Sequence, residues 1–209
     1  MEFLKRIYNW VYPSYHSALN KATIGFGSIL DVGCGTKSPL MYVKGEITKV
    51  GVDAHLPSIE VSKAKGIHDS YINAQFSELS EKCSENSFEC VLANDVLEHL
   101  DYESGMAFLD DIERIAKKRI IIFTPNGFVP QRPYNNNPWM LHKSGWTSRS
   151  MESRGYKVVG INGIKSLRGE LCSYKHKPLF FWKAISWLSQ FYTSRNPAFA
   201  YQIFCVKDI

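Results

Sequence analysis

The sequence predicts an α/β fold in which a mostly parallel sheet carries helices on both faces. Strand-like and helix-like segments alternate along the chain, beginning with strands at 28–32 and 47–53. Such alternation requires crossover connections, which are right-handed and place helices over a parallel sheet. The first strand runs into a glycine-rich turn, as expected where a strand of this fold meets a ligand.

Composition limits the chain to a few classes. Its 209 residues are 44% hydrophobic, enough for one core, so we predict a single domain over 1–209. A net charge of +5 is too small to indicate a nucleic-acid partner by itself, and none is expected. The five cysteines lack the close pairs of a zinc site and the even number of a disulfide framework. We therefore predict no metal and a cytoplasmic protein, and no segment approaches the roughly 20 apolar residues of a membrane span.

Elements of the first half follow from hydrophobic periodicity and turn residues. Residues 2–22 have a helical pattern that Pro13 interrupts, and 1–24 are expected to form a helical cap. After the glycine turn and the second strand, we predict a helix near 58–64 and a short strand at 70–73.

The second half contains the strongest strand pattern. Residues 87–94 are predicted to form a buried strand, followed by an amphipathic helix at 105–117 and an almost wholly apolar strand at 119–124. Further strand patterns at 155–161 and 200–206 are expected to form an antiparallel edge pair.

The turn after the first strand has the features of a nucleoside site. Gly33 and Gly35 remove side chains that would keep the backbone away from a ligand. Asp53 follows Gly33 by 20 residues, at the end of the next strand, where a carboxylate can accept both hydroxyls of a ribose. Ser38 stands where a dinucleotide fingerprint has a third Gly or Ala, and Asp31 would repel a pyrophosphate but can organise an ammonium. These features favour S-adenosylmethionine over a nicotinamide cofactor.

Residues 29–36 resemble the first motif of class I S-adenosylmethionine-dependent methyltransferases, and Asp53 matches their acidic second motif. Residues 87–100 and 121–126 resemble the pattern of the small-molecule branch of that family. The resemblance implies a Rossmann-like sheet of seven strands, mostly parallel, with an antiparallel last strand. It also implies transfer of the methyl group of S-adenosyl-L-methionine, with S-adenosyl-L-homocysteine as the product.

The resemblance covers about 25–165, the expected donor-binding core, and leaves an aromatic insertion at 166–199 before the last strand at 200–207. It implies a glutamine, Gln75, at the position of the family's usual adenine-binding acid, with Asp69 as the alternative. The implied cofactor-binding residues are Asp31, Gly33, Cys34, Gly35, Thr36, Asp53, Ala54, Ala74, Gln75, Phe76, Asn94 and Asp95.

Two histidines are candidate catalytic bases, because imidazole removes protons near neutral pH. His99 follows the fourth strand, and the alternatives for it are a helix cap or a bond to Glu98. His142 lies in the polar, aromatic loop 135–146, which is either an acceptor pocket or a surface loop whose tryptophans pack on the sheet edge.

The acceptor is the part of the reaction that the sequence leaves open. A small or lipid- or sugar-linked molecule methylated on oxygen or nitrogen is the leading prediction, with an RNA or protein substrate, or a non-catalytic binding module, as alternatives. The aromatic segment 179–192 is either a peripheral membrane contact or a helix packed on the core or on a second subunit. The oligomeric state stays open.

Overall fold

A computed structural model describes residues 13–133 and 137–209, so residues 1–12 of the predicted cap lie outside it. The helices are α1 (Tyr15–Thr23), α2 (Leu56–Ala64), α3 (Leu79–Lys82), α4 (Tyr102–Ile115), α5 (Ser148–Ser153) and α6 (Leu179–Thr193). The strands are β1 (Ser28–Val32), β2 (Thr48–Asp53), β3 (Ser70–Asn73), β4 (Phe88–Asn94), β5 (Ala116–Pro125), β6 (Lys157–Ile164) and β7 (Ala200–Asp208).

All seven strands belong to one sheet in the order β3-β2-β1-β4-β5-β7-β6. The first five strands in this order are parallel to one another, and β7 runs antiparallel between β5 and β6. The predicted fold class is therefore confirmed. The strand order reverses between β1 and β4, and the crevice at the carboxyl ends of these strands is where open α/β sheets bind ligands.

Each face of the sheet has its own hydrophobic core. Successive residues of a strand point to opposite faces, so Leu30 faces the core under α4 and Ile29 faces the core under α1. Leu109 of α4 and Leu19 of α1 are both at most 1% exposed. Because both faces of the sheet are packed against helices, the carboxyl ends of the strands, where the cavity lies, are held in fixed positions.

The predicted helix at 105–117 was wrong at both ends. Helix α4 begins at Tyr102, three residues earlier than predicted. Asp101 caps this end, because its side chain accepts a hydrogen bond from the Ser104 amide at 2.9 Å. At the other end Ala116 is extended and pairs with Phe88 of β4, so it begins β5. Alanine favours helices over strands, so the pairing of Ala116 with β4 outweighed its intrinsic preference.

The aromatic insertion places α6 against the edge strand β6. Gly160 allows this contact, since a Cβ there would lie 2.1 Å from the carbonyl oxygen of Thr193. Gln190 of α6 then donates to the Gly160 carbonyl at 2.7 Å and accepts from the Gly163 amide at 2.9 Å. The segment 179–192 is thus a helix packed on the sheet, although Phe180, on its other side, is 77% exposed. No helix within the described ranges is long and apolar enough to cross a bilayer.

Candidate active site

A cavity of about 440 Å³ lies at the carboxyl ends of the central strands, beside the reversal of strand order. It brings together most of the residues predicted for the site, namely Asp31, Gly33, Cys34, Gly35, Thr36, Asp53, Ala54, Phe76, Asn94, Asp95 and His99. Ala74, Gln75 and His142, which were also predicted, do not line this cavity.

The glycine turn is folded back onto the end of β2. Gly33 and Gly35 have φ of +72° and +55°, a region that side chains disfavour. The amides of Gly33 and Cys34 both donate to the Val52 carbonyl, at 2.8 and 3.0 Å. The turn therefore presents backbone, rather than side chains, to the cavity.

Asp53 holds this turn as well as lining the cavity. Its Oδ2 accepts from the Gly35 amide and its Oδ1 from the His55 amide, both at 2.8 Å. Burial raises the pKa of the Asp53 carboxyl, and these two hydrogen bonds oppose the rise. Each carboxylate oxygen keeps a second lone pair that can accept a ribose hydroxyl. The structural role of Asp53 in shaping the turn could not be predicted from spacing alone.

A buried histidine is the partner of Asp31. The Asp31 carboxylate is 1% exposed, and its Oδ2 lies 2.8 Å from Nε2 of His68. On the other side of the ring, His68 Nδ1 lies 3.2 Å from the Tyr71 hydroxyl. His68 was missed by the sequence analysis, because no local pattern marks a residue that reaches Asp31 from the connection between α2 and β3.

The part of the site that is predicted to hold adenine is the least defined by side chains. Phe76 lines the cavity, whereas Gln75 is exposed and its amide donates to Glu78 Oε2 at 2.6 Å. The alternative acid, Asp69, accepts from the Lys49 amide at 2.7 Å near the start of β2, at the opposite edge of the sheet. The assignment of Gln75 to adenine therefore stays a prediction.

Asp95 closes the cavity at the end of β4 in a strained backbone conformation. Its φ of +52° is unusual for a residue other than glycine, and such strain is concentrated at functional sites. The carboxylate accepts from Asn94 Nδ2 at 2.9 Å and from Gln202 Nε2 at 3.3 Å. Burial raises the Asp95 pKa to about 6 against the effect of these two bonds. Gln202 was not predicted, and the pairing of Pro125 with Gln202 in the antiparallel sheet brings it here.

The two candidate bases meet at a second cavity of about 220 Å³. The rings of His99 and His142 are 4.9 Å apart, although the residues are far apart in the chain. Asp101 rather than His99 caps α4, and His99 Nδ1 lies 3.2 Å from the Leu141 carbonyl oxygen rather than against Glu98. Burial lowers the pKa of His99 to about 4 and also lowers that of His142.

Glu98 lies beside these histidines and was not predicted as a site residue. It is 3% exposed, and its Oε2 accepts from the Thr124 hydroxyl at 2.9 Å. Burial, together with the nearby charge of Asp95, raises the pKa of the Glu98 carboxyl well above its usual range.

The loop after β5 was predicted either to line a pocket or to pack its tryptophans on the sheet, and its two tryptophans differ in this respect. Trp139 is 38% exposed and lines the first cavity, of about 440 Å³, beside Met140. Trp146 is 2% exposed and donates from Nε1 to the Leu97 carbonyl at 3.1 Å, so it belongs to the core. Residues 135 and 136 of this loop lie outside the described residues.

Comparison with known proteins shows which domain and which fold this chain shares with them. Residues 30–123 match a family profile described as a methyltransferase domain. No curated protein sequence matches the chain.

Several solved structures share the fold of the whole chain. A S-adenosylmethionine-dependent methyltransferase from Archaeoglobus fulgidus superposes with a TM-score of 0.60 at 16% identity, covering 98% of this chain and 99% of that one. The protein solved with the Trm112 methyltransferase activator of Haloferax volcanii gives 0.57 at 16% identity, covering 98% and 91%. Magnesium protoporphyrin IX methyltransferase from Synechocystis PCC 6803, solved with bound S-adenosylmethionine, gives 0.53 at 14% identity, covering 99% and 78%.

The sheet order, the glycine turn and the cavity at the strand reversal define the class I methyltransferase fold. Residues 30–123 therefore carry a methyltransferase domain, and the chain as a whole has the fold of S-adenosylmethionine-dependent methyltransferases. The motifs predict S-adenosylmethionine as the cofactor, and the Synechocystis structure that shares this fold was solved with it bound.

Proposed function

We propose that this enzyme transfers the methyl group of S-adenosylmethionine to an oxygen or nitrogen of a small or lipid- or sugar-linked acceptor. The observation that carries the proposal is the junction of two cavities. Asp95, His99 and Met140 line both the donor cavity and the second cavity of about 220 Å³. A donor in the first cavity and an acceptor in the second would therefore meet at these residues.

Donor binding is assigned to the residues of the first cavity. In this assignment the Gly33–Gly35 turn lies under the methionine and ribose parts, and Asp53 accepts the ribose hydroxyls. Asp31 and Asp95 contribute negative charge beside the ammonium and the sulfonium of the donor, and opposite charges attract strongly where water is excluded. The neutral Asn94 and Phe76 complete the walls.

Catalysis is assigned mainly to alignment of the two reactants, because the sulfonium already activates the methyl group. His99 and His142 line the second cavity, the proposed acceptor cavity, and burial lowers the pKa of both rings, which favours their uncharged form. An uncharged imidazole can accept a hydrogen bond from an acceptor hydroxyl or amine and orient its lone pair toward the methyl carbon.

Two features support the proposed setting of the reaction. All five cysteines are unpaired, as expected in the reducing cytoplasm. The exposed side of α6 carries Phe180, Phe181 and Leu188, which offers an apolar surface beside the enzyme for an acceptor attached to lipid.

Labelled S-adenosylmethionine tests the acceptor class. Incubation of the purified enzyme with a cell extract is expected to put the labelled methyl group into small molecules or extractable lipids. Label found in RNA or protein would contradict the proposed acceptor and indicate a macromolecular substrate. No transfer to any fraction would favour a protein that binds the donor without catalysis. A His99→Ala variant, which keeps most of the donor cavity, is the matched control for transfer that depends on this site.

A further inference from the structure

We propose that Glu98, His99 and His142 form a binding site for one divalent transition-metal ion of the Zn²⁺ type. One donor atom from each side chain lies within 4.8 Å of the others. No metal was predicted from the sequence, in which the two histidines are 43 positions apart and separated by a predicted helix and a predicted strand. The site lies in the wall of the acceptor cavity.

Backbone hydrogen bonds hold the three residues together. The amides of Lys143 and Ser144 both donate to the Glu98 carbonyl, at 2.8 and 3.2 Å. The Ser144 hydroxyl donates to the Leu97 carbonyl at 3.2 Å. The segment that carries His142 is thereby fixed against the turn that carries Glu98 and His99, so the cluster is built into the fold.

Both imidazoles are oriented as metal-ligating imidazoles usually are. His99 Nδ1 lies 3.2 Å from the Leu141 carbonyl oxygen, and His142 Nδ1 lies 2.6 Å from that of Val129. A carbonyl oxygen only accepts, so each Nδ1 carries the hydrogen and each Nε2 keeps a free lone pair. This arrangement, with Nδ1–H donating to a backbone carbonyl, is the common outer shell of histidine ligands.

The third proposed ligand is the buried carboxylate of Glu98. Glu98 is 3% exposed, and a buried carboxylate is costly unless it is paired or binds a metal. Thr124 donates to Oε2 at 2.9 Å, which orients the carboxylate and leaves Oε1 for a further partner. Thr124 is itself buried in β5, so this second support is rigid.

The donor set indicates the kind of ion. Two imidazoles and one carboxylate with open positions form the ligand set of catalytic Zn²⁺ and of related divalent transition metals. Ligand atoms around tetrahedral zinc, at about 2.0–2.1 Å from the ion, are roughly 3.4 Å apart, so binding would draw the three side chains about 1 Å closer. The adjoining cavity of about 220 Å³ leaves the remaining positions to water or acceptor.

The ion would act on an oxygen acceptor, an inference that rests on the proposed methyl transfer. With the ion bound, the two histidines would hold the acceptor through the metal instead of accepting its hydrogen bond directly. A metal-bound hydroxyl loses its proton to solvent more easily, because the cation stabilises the oxyanion. The oxygen lone pair then forms a bond to the methyl carbon while the carbon–sulfur bond breaks and its electron pair stays on sulfur. The products are the methyl ether and S-adenosylhomocysteine, with one proton released.

Titration of the untagged, chelator-treated protein with Zn²⁺ tests the site by calorimetry. We expect one ion per chain in the wild type and a loss of affinity of roughly a hundredfold or more in His142→Ala. Glu98→Gln should behave likewise. His176→Ala is the matched control, since His176 is exposed beside Trp182, and it should bind zinc like the wild type. Retained binding of S-adenosylhomocysteine by His142→Ala confirms that this variant is folded.

Two results would overturn the metal site: no stoichiometric Zn²⁺ binding by the wild type, or equal affinity in His142→Ala. Visible absorption of the Co²⁺-substituted protein gives a second measure, because it reports the ligands around the ion. Zinc binding without methyl transfer to any extract fraction would support the metal site while rejecting the proposed acceptor. Full transfer in chelator, together with no zinc binding, would reject the metal site and keep the methyltransferase activity.

Discussion

Gly33→Val is expected to reduce binding of S-adenosylhomocysteine below detection, a loss of roughly a hundredfold or more. A Cβ at Gly33 would lie 2.3 Å from Cγ2 of Val96, and the φ of +72° is unfavourable for a β-branched residue. The turn must therefore move, and with it the backbone that lines the donor cavity. The strain itself costs about 1–3 kcal/mol, less than the 5–15 kcal/mol stability of a typical domain, so the variant should fold.

Calorimetry and a thermal melt measure the two effects of Gly33→Val separately. Gly66→Val is the matched control, because Gly66 has a similar φ of +61° and a Cβ there would meet nothing within 4 Å. Its backbone strain is comparable, yet it lies outside the lining of the donor cavity, so binding should be unchanged. Undiminished binding by Gly33→Val would mean that the donor lies elsewhere.

Asp53→Ala is expected to weaken binding of S-adenosylhomocysteine at least tenfold. Two ribose hydroxyls would lose a charged acceptor, and each hydrogen bond to a charged group contributes about 1.5–3 kcal/mol. The Gly35 amide would lose its partner as well, which loosens the glycine turn. Calorimetry of the variant beside the wild type measures the combined loss.

Asp69→Ala is the control for Asp53→Ala, since Asp69 also accepts a backbone amide but at the opposite edge of the sheet. It should leave affinity unchanged. Equal affinities for Asp53→Ala and wild type would contradict the ribose assignment, and a larger loss in Asp69→Ala would revive the alternative adenine partner.

The donor half of the site could be predicted because its signals are local. Two glycines and an acid at the ends of consecutive strands are brought together by any parallel pairing of those strands, so Gly33, Gly35 and Asp53 needed no tertiary information. Local strand patterns likewise gave the seven strands, and the family resemblance implied the antiparallel last strand. Only the first and last residues of elements such as α4 could not be predicted, because they depend on strand pairing between distant parts of the chain.

The remaining contacts of the site could not be predicted because they are long-range. His68 reaches Asp31 across 37 positions, and Gln202 reaches Asp95 across 107. The meeting of His99 with His142 depends on a loop held by backbone hydrogen bonds, which leave no pattern in the side chains. Residue type alone also could not predict that Trp139 lines the cavity whereas Trp146 is buried in the core.

The most direct test of the donor assignment compares two ligands in a thermal shift experiment on the wild-type protein. S-adenosylhomocysteine at a hundred times its Kd should add about 2.7 kcal/mol of stability, which raises the Tm of a domain of this size by roughly 5 °C or more. Nicotinamide adenine dinucleotide should leave the Tm unchanged, because Asp31 disfavours a pyrophosphate at the glycine turn. A shift with the dinucleotide and none with S-adenosylhomocysteine would contradict the assignment of this cavity to the methyl donor.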